Sequence, residues 1–260
     1  MLEITNALRK TIKSLGDARH RRETGLFVAE GTKCVLDTMR AFDVRSLFAT
    51  PSWIKAFGDQ CGGLPVTEAT KADLERMTQL STAPQVIGLY RIPADEASAL
   101  KNIFDESHGL VLALDRVQDP GNLGTIVRVA DWMGVRHILA SGDTVDVYNP
   151  KVVQSTMGSI ARVKVHYVPD LPATLATLAA GGAEIYGTLL DDHATDLYTS
   201  SFTTPSVLVM GNEGQGISAD VQRTLTKRIF IPPYPADAQT AESLNVAVAT
   251  AIVLSHARHG

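Results

Sequence analysis

Cysteine is nearly absent from this 260-residue sequence: Cys34 and Cys61 are the only two, far apart and without histidine neighbours at ligand spacing. That excludes a disulfide framework and speaks against a zinc site, so no metal is expected and a reducing cytoplasm is the default setting. Long apolar runs are missing too. No stretch approaches the roughly 20 residues needed to span a bilayer. The opening MLEITNALRKTIKSLG has neither the apolar block nor the small-residue cleavage site of a secretory signal. There is no internal repeat, no low-complexity tract and no P-loop, since GLFVAEGTK at Gly25–Lys33 has the wrong spacing and order. A glycine-rich strand-to-helix turn with a downstream acid, as nucleotide-binding folds of the Rossmann type carry, is also lacking. What remains is ordinary. Hydrophobic residues make up 45% and charged residues 20% of the chain, the balance of a globular protein with one large or two modest domains.

Net charge is only −4, which argues against a general nucleic-acid coat. Its distribution matters more. Residues 1–22 carry six basic side chains (Arg9, Lys10, Lys13, Arg19, Arg21, Arg22) against Glu3 and Asp17, with His20 as a further donor. Residues 101–260 carry 11 basic and 16 acidic side chains. A basic arm on an otherwise acidic protein fits a local anionic partner such as RNA or DNA, and a solvated helix face fits it equally well.

Phe27–Ala29, Ser46–Ala49 and Val86–Arg91 read as strands, and Thr32–Ala41 and Ala72–Leu80 have helical spacing. Residues 1–93 therefore predict a small α/β domain, followed by a polar linker over 94–107. From 108 to 260, apolar runs suited to buried parallel strands recur at Leu110–Leu114, His137–Ala140, Val163–Val168, Glu184–Leu189, Val207–Met210 and Arg228–Ile231. Asn149-Pro150, a cap followed by proline, predicts a helix over Lys151–Ile160. An open α/β sheet results, with ligands expected at the carboxyl ends of its strands. The last segment, Ala241–Ala257, is apolar around most of its circumference, which predicts a helix buried on several sides, in a core or at a subunit interface. His256 and His259, close to the end and without an acidic partner, are expected to be solvated.

Three clusters carry polar chemistry, each at a predicted strand end. DRVQDPGNLG at Asp115–Gly124 is followed by a helix bearing Arg128. Asp119-Pro120-Gly121 is turn chemistry, so a tight turn with a surface arginine is the simpler reading of that cluster alone. MGNEGQGI at Met210–Ile217 puts three glycines into a loop that can approach a ligand closely and expose backbone N–H groups. Its G-x-x-G-x-G order is not the dinucleotide fingerprint, and Glu213 would repel a pyrophosphate. The third is Ile231-Pro-Pro with AESLNV at Ala241–Val246, where Ser243 and Asn245 stand at the entrance of a helix that is otherwise buried. Capping by Thr240 or Ser243 accounts for part of this, and leaves Asn245 in need of a partner.

Taken in order, the clusters resemble the signature motifs of the SpoU, or TrmH-like, branch of the SPOUT RNA methyltransferases. DPGNLGTIVRVADWMGV at Asp119–Val135 resembles the first motif, LVMGNEGQGI at Leu208–Ile217 the second, and IPP…AESLNVAVATAI the third. NPKVVQSTMGSIARV at Asn149–Val163 is similar to the helix usual between them, and residues 1–93, with ARHRRETGLFVAEG at Ala18–Gly31, resemble a ribosomal-protein-like substrate-binding domain. One departure is the segment between Ile231 and Ser243, which is longer than usual and carries Tyr234 and extra prolines.

The resemblance implies an open, mainly parallel α/β sheet closed by a carboxyl-terminal trefoil knot, one of the rare exceptions to the rule against threading. It further implies a homodimer through the knotted domain, and transfer of a methyl group from S-adenosylmethionine to a ribose 2′-hydroxyl of ribosomal or transfer RNA. Asn122, Arg128, Glu213, Ser243 and Asn245 are then the catalytic constellation. Thr188, Leu189, Gly211, Asn212, Gly216, Ile231 and Leu244 surround the cofactor, and Lys10, Lys13, Arg19, His20, Arg21 and Arg22 touch RNA. Arg128 stays charged at neutral pH, so its expected part is to grip a phosphate and stabilise alkoxide charge, the proton leaving through Ser243, Glu213 or water. Two rival functions stay open: an RNA-binding module that keeps the fold without the chemistry, and a small-molecule enzyme using a nucleotide cofactor, which would leave the basic arm unexplained.

Overall fold

A computed structural model describes residues 4–94, 100, 102–191, 193–235, 239 and 241–260. Most of the first half of the expected linker and Thr240, weighed above as a cap, lie outside the described residues. The chain divides into two units, residues 1–94 with 146–162 and residues 95–145 with 163–260.

In the first unit, helices α1 (Asn6–Ser14) and α2 (Ala18–Thr24) start on side-chain caps, Thr5 accepting from the Leu8 N–H and Asp17 from the Arg19 N–H. They lead into β1 (Leu26–Glu30), α3 (Thr32–Thr38), β2 (Val44–Ala49), α4 (Pro51–Phe57), β3 (Val66–Glu68), α5 (Lys71–Met77) and β4 (Val86–Arg91). The sheet runs β1-β4-β2-β3, with β4 antiparallel to both neighbours and β3 parallel to β2. Ile12 and Leu15 of the first helical segment and Leu74 and Met77 of α5 pack with Val28, Phe48, Ile87 and Leu89 in one core. The expected helix over Ala72–Leu80 ends at Met77. Thr78 turns into extended backbone there, and its hydroxyl donates to the buried carboxylate of Glu30, which also accepts from the Gln79 N–H at 2.8 Å. Burial pushes the Glu30 carboxyl above its ordinary pKa.

The second unit begins with α6 (Ile103–Glu106), β5 (Leu110–Leu114), α7 (Pro120–Trp132) and β6 (His137–Ser141). The intervening α8 (Pro150–Ser155) belongs to the first unit. The second unit then resumes with β7 (Lys164–Val168), α9 (Leu171–Ala180), β8 (Glu184–Thr188), β9 (Thr195–Asp196), β10 (Ser206–Met210), α10 (Ala219–Gln222), β11 (Lys227–Phe230) and α11 (Val246–His259). Its seven strands are ordered β7-β6-β5-β10-β8-β11-β9 and pair in parallel throughout. Alternate residues of β5 and β10 (Val111, Ala113, Val207, Val209) join Leu171 and Leu175 of α9 and Val221 of α10 in a core. Helix α11 packs along α7.

Three expectations change in detail. Asn149 does cap α8, its side chain accepting from the Lys151 N–H, but the helix stops at Ser155 because Met157 (φ 52°) and Gly158 (φ 92°) turn left-handed before a single 3-10 turn. This segment lies against the first unit: the Tyr148 ring stands 4.8 Å from Phe27, and the Cys34 thiol bonds the Val153 carbonyl. Helix α11 starts at Val246, five residues later than expected, because Asn245 caps it. His256 is not free in solvent, since its Nε2 bonds the Ser200 carbonyl at 3.0 Å and its ring meets Tyr198 and Phe202 edge-on. No helix among the described residues is long and apolar enough to cross a membrane.

Candidate active site

Four adjacent parallel strands, β5, β10, β8 and β11, end on the same edge of the second sheet. The segments that leave those ends are the three motif clusters and the stretch after Thr188. The strand order turns back between β5 and β10, the kind of position where open α/β sheets bind ligands.

Helix α7 begins where Asp119 caps it, the carboxylate accepting from the Asn122 N–H at 2.8 Å, with Pro120 in the first turn. This fixes Asn122 at the sheet edge. Its Nδ2 donates to Glu213 Oε1 at 2.8 Å, and its Oδ1 accepts from Asn245 Nδ2 at 2.9 Å. Residues 91 and 123 positions away in sequence are thereby joined in one polar chain. Asn245 has a second task. Its Oδ1 accepts from the Ala247 and Val248 N–H groups, so it is the cap of α11 and not merely a polar group awaiting one. Arg128, six residues after Asn122, is exposed, and its guanidinium has no hydrogen bond or ion pair among the described residues. Ser243 and Leu244 are exposed, Leu244 at 50%.

The glycine loop is built on Asn212 and on the end of β5. Asn212 and Gly216 exchange two backbone hydrogen bonds of 3.0 Å. Asn212 Nδ2 donates to the Arg116 carbonyl at 2.8 Å, while its Oδ1 accepts from the Gly214 and Gln215 N–H groups at 3.0 Å. Its side chain is therefore occupied in shaping the loop. Gly216 needs its left-handed φ of 64° to close the turn. Gly211 is buried, and a Cβ there would lie 2.3 Å from the carbonyl carbon of Gly216. Glycine at 211 is demanded by the loop itself. Sequence reasoning missed Asp115, whose buried carboxylate receives the Ser218 N–H at 2.6 Å. It sits at the first residue after an apolar strand, the position where a buried acid signals a local partner.

On the other side of β10, Thr188 Oγ1 reaches the Val209 carbonyl at 3.5 Å, and the Leu189 N–H is taken by the Ile229 carbonyl at 2.9 Å. Beyond them an open cavity of 480 Å³ is lined by Leu190, Asp191, Ala194 and Phe230, next in sequence to the expected contacts Leu189 and Ile231. Asp191, another residue not foreseen, accepts from the His193 N–H at 2.6 Å and pairs with Arg228. Those two contacts hold its carboxyl below the usual range.

The basic arm occupies α1 and α2. Lys10, Lys13, Arg19, His20 and Arg22 are exposed. Arg21 is not: it is 1% exposed and donates to Asp146 Oδ2 at 2.8 and 2.6 Å and to the Leu15 and Gly16 carbonyls, so four of its N–H groups are engaged and burial keeps the guanidinium from a phosphate.

Residues 109–255 match the SpoU rRNA Methylase family and residues 6–88 the MRM3-like substrate binding domain. The 23S rRNA (guanosine(2553)-2′-O)-methyltransferase RlmP of Bacillus subtilis is 29% identical over 250 residues, covering 96% of this chain and 95% of the relative. The crystal structure of an AdoMet-bound rRNA methyltransferase from Sinorhizobium meliloti superposes with a TM-score of 0.84 at 30% identity, over 99% of this chain and 96% of that one. The SpoU methyltransferase AviRb from Streptomyces viridochromogenes, in complex with AdoMet, gives 0.81 at 27% identity over 97% of both chains. With the motif residues gathered at one sheet edge and both family matches in their places, the chain belongs to the SpoU rRNA methylase family.

Proposed function

We propose that this protein methylates a ribose 2′-hydroxyl of ribosomal RNA, with S-adenosylmethionine as methyl donor. The observation that carries the reading is the hydrogen-bonded chain Asn245–Asn122–Glu213 at the carboxyl edge of a parallel sheet, with an exposed Arg128 on the helix that Asn122 helps to open. The cofactor's cationic sulfonium supplies an already activated methyl group. A cavity of 480 Å³ falls within the usual size for such ligands, about 300–1,000 Å³. Thr188, Leu189, Ile231 and Leu244 with the Gly211–Gly216 loop would hold the cofactor, the loop through its backbone, and the cavity lining of Leu190, Asp191, Ala194 and Phe230 adjoins Leu189 and Ile231 in sequence.

Little covalent work is left to the protein; it must align the acceptor oxygen and manage one proton. Arg128, exposed and without a partner, grips the phosphate beside the target ribose and stabilises charge growing on the 2′-oxygen. Glu213 has one carboxylate oxygen held by Asn122, which leaves the other to receive the hydroxyl proton directly or through Ser243. Lys10, Lys13, Arg19, His20 and Arg22 on the first unit supply phosphate contacts. The family's homodimer through the methyltransferase domain is part of the reading, and on that domain Trp132 at the end of α7 is 88% exposed and Val248 on α11 50% exposed. The reading includes the family's trefoil knot, a cytoplasmic setting and a division of labour between residues 1–93 and 108–260, joined by 94–107.

The test is transfer of radiolabelled methyl from S-adenosylmethionine to ribosomal RNA, transfer RNA and free nucleosides, followed by mapping of alkali-resistant linkages. Label on ribosomal RNA at an alkali-resistant step supports the reading. Label on bases, label on free nucleosides alone, or none at all overturns it.

A further inference from the structure

Three non-glycine residues adopt positive φ among the described residues: His108, Arg116 and Met157. Arg116 is the one that borders the site. It follows β5 and Asp115 with φ 60°, a conformation that glycine or asparagine reaches more easily than arginine. Its backbone has partners that any residue could provide: the N–H donates to Ser141 Oγ at 2.9 Å, and the carbonyl accepts from Asn212 Nδ2 at 2.8 Å. The guanidinium does what glycine could not. Nη1 donates to Gln215 Oε1 at 2.9 Å, and Nε lies 3.4 Å from Asp115 Oδ1. That Nε is buried with no hydrogen-bond partner, and Asp115 beside it is nearly inaccessible. An arginine held on left-handed backbone, with its Nε buried and unbonded, is unfavourable relative to glycine unless its side chain supplies a compensating contact.

The loop shows the task. It is fastened at its start through Asn212 to the Arg116 carbonyl and at its end through Ser218 to Asp115 Oδ2. Between those ends Glu213 is tied to Asn122, and a second side-chain tie joins Arg116 to Gln215, at the exposed tip and two residues past Glu213. We infer that Arg116 is a positioning residue for methyl transfer, fixing the tip of the Asn212–Gly216 loop so that Glu213 stays in register with Asn122. The inference rests on the methyltransferase reading of the same site.

Arg116→Gly removes the guanidinium while relieving the backbone, so unfolding should not be the outcome. If the loop tip is what matters, Arg116→Gly and Gln215→Ala each lower kcat by about tenfold, with KM for RNA nearly unchanged, as expected when a catalytic group is misaligned. The double variant is no slower than the slower single one, Arg116→Lys restores part of the rate, and the melting temperature of Arg116→Gly holds or rises. Amide exchange at Gly214 and Gln215, followed by mass spectrometry, speeds up in Arg116→Gly. Unchanged kcat and unchanged exchange would overturn the inference. So would a rise in KM for RNA that is relieved at low salt and absent in Gln215→Ala, which would make Arg116 a phosphate contact. Exchange needs no turnover. A loop that loosens in Arg116→Gly within a wild-type background that methylates nothing supports the anchor and sinks the methylation reading instead.

Discussion

Adding one methyl group at Gly211 puts the construction of the loop under direct test. A Cβ at that position would stand 2.3 Å from the Gly216 carbonyl carbon, 2.4 Å from the Ile217 nitrogen and 2.6 Å from the Gly216 oxygen. Carbon contacts settle at about 3.5–4.0 Å, so backbone must retreat by roughly 1 Å, and no rotatable side chain is there to give way. The retreat opens the paired 3.0 Å hydrogen bonds between Asn212 and Gly216 and carries Glu213 away from Asn122. Overpacking of this kind costs about 1–3 kcal/mol, and a misplacement of about 1 Å at a reacting centre can lower a rate by about 10²-fold. Gly211→Ala should therefore lose about two orders of magnitude in methyl transfer and bind S-adenosylmethionine more weakly by calorimetry. Its melting temperature should fall by a few degrees, at about 2–4 °C per kcal/mol for a chain of this size. Gly216→Ala is the comparison: a Cβ there meets nothing within 4 Å, so only the left-handed φ is strained and the loss should be smaller than in Gly211→Ala. Wild-type turnover and affinity in Gly211→Ala would refute the argument that the loop closes on this glycine.

Arg128→Ala should reduce methylation by at least about 10²-fold, as loss of an electrostatic stabiliser does, while the thermal transition stays put because the side chain is exposed and unpartnered; near-normal turnover would remove it from the mechanism. Arg21→Ala leaves two carbonyls and the partly exposed Asp146 without their donor and should cost about 1–3 kcal/mol, as loss of a charged donor to buried acceptors does. Chemical denaturation reads this, and an unchanged midpoint would contradict the structural role. Burial depresses the pKa of His137 from 6.5, with the Glu106 carboxylate pulling the other way and Lys164 adding to the depression. A folded value below the unfolded one means that stability is fully present above about 6.5 and is lost as pH falls through the folded value. Acid should thus destabilise the wild type more steeply than His137→Gln, and superimposable stability–pH curves would show that this ring does not titrate on unfolding.

The parallel sheet was legible because its strands are continuous apolar runs; Leu110–Leu114 and Val207–Met210 are buried at every position. Strand β3 was not, since three residues reading Val-Thr-Glu carry too little pattern to stand out. The helical segment after Asn149 was placed correctly at its start, where capping is local chemistry, and wrongly at its end, where a left-handed Met157 breaks the helix without a proline to announce it. The same contrast runs through the site. Asn122, Glu213 and Asn245 were visible as polar residues that a strand end or a buried helix entrance does not need, and the fold joins them. Asp115, Arg116 and Asp191 escaped because their partners, Ser218, Gln215 and Arg228, are 103, 99 and 37 residues away and are brought near only by the strand order.

Charge in the basic arm illustrates how burial revises a sequence count. Along a helix, Arg19 and Arg22 are three residues apart and share a face, whereas Arg21 is turned toward the core, where it is held by Asp146 and two carbonyls. Arg9 is half-buried against Asp73 at 2.7 Å. Of the six arginines and lysines in residues 1–22, four remain exposed: Lys10, Lys13, Arg19 and Arg22. Lys13 donates to the Thr78 carbonyl in a part-buried contact, and Arg19 pairs with Glu23 in an exposed one, which is weak enough to be exchanged for a phosphate. Two to four phosphate contacts are therefore available from these side chains. Each contact contributes about 0.7–0.9 to the slope of log affinity against log salt, so the arm accounts for a slope of about 1.4–3.6, where six free cations would give about 4–5. Replacing Lys10, Lys13, Arg19 and Arg22 together with alanine should lower the measured slope by that amount and weaken specific and unrelated RNAs alike, because phosphates carry no sequence. Binding isotherms at several salt concentrations give the slopes directly. If the quadruple variant keeps the wild-type slope, the exposed charges of α1 and α2 are a solvated face, and the phosphate contacts lie on the methyltransferase unit.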